Sequence, residues 1–84
     1  MYFYVYMILT KINGRYVSYV GYTKNLKNRL ALHNSSKGAK FTKGKKWKII
    51  YSKKYNSKST AMKEEYILKK DLKKRNIIKN RFTR

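Results

Sequence analysis

Hydrophobic and polar positions alternate from Phe3 to Leu9, with Phe3, Val5, Met7 and Leu9 on one face of an extended segment and Tyr4, Tyr6 and Ile8 on the other. A second β-rich run ends in Tyr19-Val20-Gly21, and Asn13-Gly14 lies between the two. Asn-Gly suits a type I′ turn, which needs positive φ at both central residues, so the pattern predicts a hairpin of strands at residues 2–10 and 15–22. A tight turn sets Ile8 opposite Tyr19 and Tyr6 opposite Gly21. Tyr6 and Tyr19 are then diagonal neighbours on one face, roughly 7–8 Å apart at the backbone and within reach of long side chains. Gly21 leaves that face open above Tyr6, so two phenols converge on a hollow. Aromatic pairs also stabilise sheets without any further role, and both readings stand at this point.

Further along, Thr23 is placed to cap a short helix over Asn25–Asn34, with Leu26, Leu30 and His33 spaced along one stripe. Asn34-Ser35-Ser36 ends it, and residues 36–46 form a glycine-bracketed basic loop. A third strand is predicted over Trp47–Lys53, with Trp47, Ile49 and Tyr51 facing one way. Asn56-Ser57-Lys58-Ser59 marks a turn and cap before a second helix from Ser59 to Lys70, and a third, strongly basic helix covers Leu72–Arg81. The order β-β-α-β-α-α implies one domain over residues 1–84, of the α+β class: a small antiparallel-rich three-stranded sheet covered by helices.

Length and charge narrow the picture. A chain of 84 residues buries only about 60–65% of its unfolded surface, so the core is thin. Cysteine is absent, which removes disulfide frameworks and thiolate zinc sites. No apolar run approaches the ~20 residues of a membrane-spanning helix. The N-terminus opens on a strand pattern rather than a signal peptide, so an intracellular location (cytoplasm, nucleoid or nucleus) is expected. Lys and Arg number 23 against three acids, a formal net charge of +20. Charge of this density repels itself in the folded state and suits a polyanionic partner, whose affinity would come from counterion release. An anionic membrane surface would require a broader apolar helix face than this chain offers.

Three side chains invite a chemical reading. Arg29 and His33 lie one turn apart on the first helix, at the edge of the Leu26–Leu30 stripe, and lean toward the sheet. Arg29 has the option of snorkelling, and His33 that of a satisfied structural histidine. On the second helix, Glu65 shares a stripe with Ala61, Leu68 and Leu72, while Glu64 lies further round toward solvent. A carboxylate among apolar residues needs a cationic answer, either an ion pair to Lys or Arg or a divalent metal, and the sequence leaves both open.

Taken together, Tyr4-Val5-Tyr6, Tyr19-Val20-Gly21, the segment Gly21–Leu30, His33 and Glu65-Tyr66 resemble the GIY-YIG nuclease superfamily over residues 2–70. The resemblance is nearest to small standalone members, which look like the N-terminal nuclease domain of the bacterial excision-repair endonuclease. It implies that Tyr6 and Tyr19 stand for the two motif tyrosines, Arg29 for the arginine that steadies the scissile phosphate, and Glu65 for the ligand of one Mg²⁺ or Mn²⁺ ion. His33 matches a position often histidine in small members, with a proton-shuttling or phosphate-contacting role. Ser36-Lys37-Gly38-Ala39-Lys40 resembles a Gly-Ala-bearing loop of those members. Tyr4 stands where the motif name has Gly, and Val20 replaces Ile. Asn76 and Asn80 align only loosely with an asparagine that some members use.

The expected function is therefore metal-dependent hydrolysis of phosphodiester bonds, in DNA more readily than RNA, structure-directed or non-specific. Tyr19 would assist water attack. Lys37, Lys40, Lys43, Lys45 and Lys46 are expected to contact the phosphate backbone, which positions a strand without reading its sequence. Targeting, if any, would come from a protein partner. The competing expectation is a catalytically weak nucleic-acid-binding protein that keeps the fold and the basic surface.

Overall fold

A computed structural model describes residues 1–83 of the chain. Its elements are β1 (Phe3–Ile12), β2 (Arg15–Thr23), α1 (Leu26–Asn34), β3 (Lys48–Tyr55), α2 (Lys58–Lys70) and α3 (Leu72–Thr83). The three strands form one sheet in the order β2-β1-β3, and both pairings are antiparallel. The expected α+β architecture and element order hold, with ends shifted by one or two residues.

The hairpin register is the one the turn chemistry demands. Asn13 and Gly14 both have positive φ, 49° and 81°, and Ile8 pairs with Tyr19 and Tyr6 with Gly21. β1 is central and is covered on both faces, so Val5 through Leu9 are all buried. Val5 and Met7 pack with Val20 and with Ala61 and Leu68 of α2, joined at the margin by Ile50, Tyr51 and Ile78 of α3. On the opposite face, Tyr6 and Ile8 pack with Trp47, and Leu26 and Leu30 of α1 close the layer.

Three local expectations are corrected. Trp47, Ile49 and Tyr51 do not share a face: the register between β1 and β3 shifts at Met7/Ile8. Trp47 and Ile49 join the Tyr6 side, whereas Tyr51 packs with Val5 and Met7. One extra residue in a strand reverses the face of everything beyond it, and period-two counting does not see the bulge. Thr23 does not cap α1. Its hydroxyl accepts from the Asn25 amide at 3.2 Å, and the Asn25 side chain caps the helix by accepting from Asn28 N–H at 3.0 Å. Leu72, placed on the α2 stripe, is 59% exposed. Asp71 leaves helical geometry (φ −92°, ψ 79°) at the end of α2 and caps α3 by accepting from Lys74 N–H at 2.9 Å, so Leu72 begins a new axis.

The positive φ at Gly14 yields a stability prediction. Gly14→Val places a β-branched residue in the left-handed region and should cost about 1–2 kcal/mol, lowering Tm by roughly 4–16 °C. Gly14→Asn should stay within a few degrees, because Asn tolerates that region. Thermal unfolding followed by circular dichroism distinguishes the two.

Candidate active site

The residues singled out on the hairpin and the two helices converge. Tyr6, Tyr19, Gly21, Tyr22, Arg29, His33, Gly38, Ala39 and Glu65 line one cavity of about 190 Å³. Tyr6 and Tyr19 project from the α1 side of the sheet and Tyr22 from the α2 side, and β2 is an edge strand. Groups from both faces therefore meet at the β2 edge. A groove of about 510 Å³ adjoins it through the shared residues Tyr22 and Arg29, and Lys24 and Lys58 lie along it.

At the base of the site, Tyr6 Oη and His33 Nε2 are 2.7 Å apart. His33 Nδ1 lies 2.8 Å from Thr42 Oγ1, and the Thr42 hydroxyl donates to the Ala39 carbonyl at 2.9 Å. Since that hydroxyl proton is committed to Ala39, the network assigns His33 the Nδ1–H tautomer: Nδ1–H donates to Thr42, and Nε2 accepts from the Tyr6 phenol. Only 1% of His33 is exposed. Burial, and then the neighbouring Arg29 guanidinium, hold its pKa below the ordinary histidine value, which favours the neutral ring. Burial likewise pushes the Tyr6 phenol well above its ordinary value. Arg29 opposes that rise, and Tyr19 and Glu65 add to it.

The second phenol is differently placed. Tyr19 is half-buried, stands edge-on to the His33 ring with centroids 5.3 Å apart, and lines the cavity. Tyr6 is thus the deep, protonated member and Tyr19 the one nearer solvent. Glu65 has a side chain 16% exposed, and its Oε2 lies 3.2 Å from Lys69 Nζ, one turn along α2 and 47% exposed. Both readings of this carboxylate are therefore present at once, an ion pair at one oxygen and a place in the cavity wall. Two glycines make the packing feasible. A Cβ on Gly21 would lie 2.5 Å from Tyr6 Oη, and one on Gly38 would run into the His33 ring and backbone.

The predicted basic loop is built rather than loose. The Asn34 side chain accepts from Trp47 N–H at 2.6 Å and donates to Trp47 O at 3.3 Å. The Trp47 indole donates to Thr42 O at 3.0 Å, and Gly44 N–H donates to Ser36 Oγ at 2.9 Å. Lys37, Lys40 and Lys43 border a shallow hollow of about 220 Å³. Lys45 turns back onto the Phe41 and Lys43 carbonyls. Lys46 lines a separate cavity with Leu9, Tyr16 and Phe82, so the five lysines are not one surface. Sequence reasoning missed Thr42 and Phe41, and named Gly38 only as part of the Gly-Ala-bearing loop. A lone Phe-Thr pair amid polar residues was the available signal that part of this loop turns inward.

Comparison with known proteins shows the family to which the chain belongs. The GIY-YIG catalytic domain model matches residues 2–79, and the chain belongs to this family. Among curated relatives, UPF0213 protein OB0043 of Oceanobacillus iheyensis is 50% identical over 52 residues, covering 61% of this chain and 60% of that protein. UPF0213 protein SH2523 of Staphylococcus haemolyticus is 43% identical over 67 residues, covering 79% and 78% respectively. The chain spans less than two thirds of the Oceanobacillus protein's length. The solution NMR structure of UPF0213 protein BH0048 from Bacillus halodurans has 35% identity and a TM-score of 0.49, covering 94% of this chain and 84% of that one. No helix among the described residues is long and apolar enough to cross a membrane.

The lowered His33 pKa carries a pH prediction. The unfolded state takes up a proton near the ordinary value of 6.5, whereas the folded state resists it until lower pH. Stability should therefore be full above that value and decline as pH falls below it, by at most about 1.4 kcal/mol per pH unit. Chemical denaturation across pH 5–8 should show this decline in the parent chain and a flatter profile in His33→Gln, and NMR titration of the single histidine should give a midpoint below 6.5.

Proposed function

We propose that this protein is a metal-dependent endonuclease that hydrolyses phosphodiester bonds in DNA, directed by structure or acting without sequence preference. The observation that carries this reading is the meeting of two phenols, a guanidinium, an imidazole and a carboxylate in one small cavity. The net charge of +20 supplies affinity for the substrate's phosphates.

Each group has a role that follows from its surroundings. Arg29, with a planar fork matched to phosphate oxygens, holds the scissile group and offsets charge that builds on it. Tyr19, nearer solvent than Tyr6, positions the attacking water and, once its own proton has passed to solvent, accepts the water's proton as the phenolate. Tyr6 stays protonated because its burial disfavours a phenolate and His33 holds its hydrogen. Both His33 nitrogens are engaged by protein, so His33 acts by aligning and buffering Tyr6 rather than by touching phosphate.

The donor set suits one hard divalent ion. Glu65 offers a single carboxylate at the cavity wall, and no cluster of three His, Cys, Asp or Glu exists among the described residues. That combination matches Mg²⁺ or Mn²⁺, which keep several waters and borrow phosphate oxygens, and does not match zinc. When bound, such an ion stabilises the departing alkoxide. The Lys69 contact is a single i,i+4 pair made at Oε2 by a lysine that is itself 47% exposed, and a divalent ion of higher charge competes with it for the carboxylate. The same ion pair is what favours the alternative, a nucleic-acid-binding protein of weak catalytic power.

Cleavage assays decide between them. Branched, flap and duplex DNA and structured RNA would be incubated with the protein and Mg²⁺ or Mn²⁺. The parent chain should cut, and Glu65→Gln, Tyr19→Phe and Arg29→Ala should each lose about a hundredfold or more. Binding by Glu65→Gln and Tyr19→Phe should stay within a few fold of the parent. A parent chain that binds without ever cutting, or variants that cut as well as it does, would establish the alternative.

A further inference from the structure

Phe41 is the unexplained residue of the basic loop. It is 52% exposed, although Thr42 and Trp47, which follow it, are buried and pin the loop. Its ring lies nearly parallel to that of Tyr19, with centroids 6.1 Å apart and planes 19° from one another. It also meets the Trp47 ring at 6.2 Å in a tilted contact. The Lys45 ammonium stands 5.7 Å from the Phe41 centroid, and Lys40 and Lys43, its chain neighbours, border the adjacent hollow. An aromatic ring held on a braced loop, half open to solvent, accompanied by the Lys45 ammonium and stacked on a wall of the candidate active site has the makings of a base-stacking surface.

We propose that Phe41 stacks an unpaired nucleobase next to the cleavage position, so that the substrate is single-stranded, gapped or flapped at that point; this rests on the nucleic-acid reading above. Lysines hold phosphates whatever the bases are doing, and they do not distinguish paired from unpaired strands. A ring face does distinguish them. A base within a duplex has both faces covered by its neighbours, and freeing one costs a few kcal/mol of unstacking. An already unpaired base meets Phe41 without that cost. The preference is thus built from one exposed ring, with no recognition of sequence.

A purely structural role, in which Phe41 only shields Tyr19, makes a different forecast, because leucine would shield nearly as well. The test uses the full chain without divalent metal and measures binding by fluorescence anisotropy. Its ligands are a short single-stranded DNA, the same strand with every base removed, and the matching duplex. Phe41→Leu should weaken binding to the intact strand about five- to a hundredfold and change binding to the abasic strand and the duplex by less than about twofold. The slope of affinity against salt should not move, since the phosphate contacts are intact. Equal weakening on all three ligands, or no weakening on the intact strand, would overturn the proposal. Far-UV circular dichroism and Tm of Phe41→Leu, expected to match the parent, exclude misfolding as the cause. A parent chain that never cuts yet shows this selective loss would sink the nuclease reading alone, and a chain that cuts without it would sink only the role of Phe41.

Discussion

The site depends on one buried imidazole that ties three separate parts of the chain together. His33 comes from α1, its Nε2 accepts from Tyr6 on β1, and its Nδ1 donates to Thr42 in the basic loop. Losing one partner of such a bond leaves a buried polar atom unanswered, at about 1–3 kcal/mol. The surroundings are shaped to protect it. Gly21 gives the Tyr6 hydroxyl room, Gly38 lets the loop backbone lie against the ring, and the Thr42 hydroxyl donates its own hydrogen bond to the Ala39 carbonyl. Tyr6 is held protonated as a consequence, which separates the two phenols into a fixed, deep one and a more accessible one.

Charge is organised around scarcity. Each of the three acids has a defined place: Glu65 at the cavity, Asp71 at the α2–α3 junction, and Glu64 close enough to Tyr55 to add to the rise that burial causes in its pKa. Lysines have few carboxylates to pair with, and several instead sit over aromatic rings, among them Lys24 on Phe3, Lys54 on Tyr2 and Lys74 on Tyr51. Contacts of this kind contribute about 0.5–1 kcal/mol at exposed sites and hold cations without neutralising them. The surface therefore keeps its field, which a polyanion would relieve.

The sheet edge explains how one cavity draws on both faces of the protein. α2 buries Ala61 and Leu68 on the side away from α1, so Glu65 and His33 belong to layers separated by the sheet. They meet because β2 is the edge strand and Gly21 gives it no side chain there. A bulkier residue at that position would crowd the Tyr6 hydroxyl.

Much of this was legible before any coordinates. Asn13-Gly14 determines the turn, the turn determines the register, and the register alone sets Gly21 opposite Tyr6. Likewise the helical spacing of Arg29 with His33, and of Ala61, Glu65 and Leu68, puts those side chains on inward faces. These are consequences of local periodicity and turn chemistry. The β3 bulge, the exposure of Leu72, the inward turn of Thr42 and the closeness of Gly38 to His33 were decided by tertiary structure. The bulge arises from pairing between segments distant in the chain, and the others from local turns that break the helical period, so no repeat period carries the information. The same holds for the divided role of Glu65, since helical spacing brings Lys69 beside it, whereas only the fold brings it to the cavity of Tyr19 and Arg29.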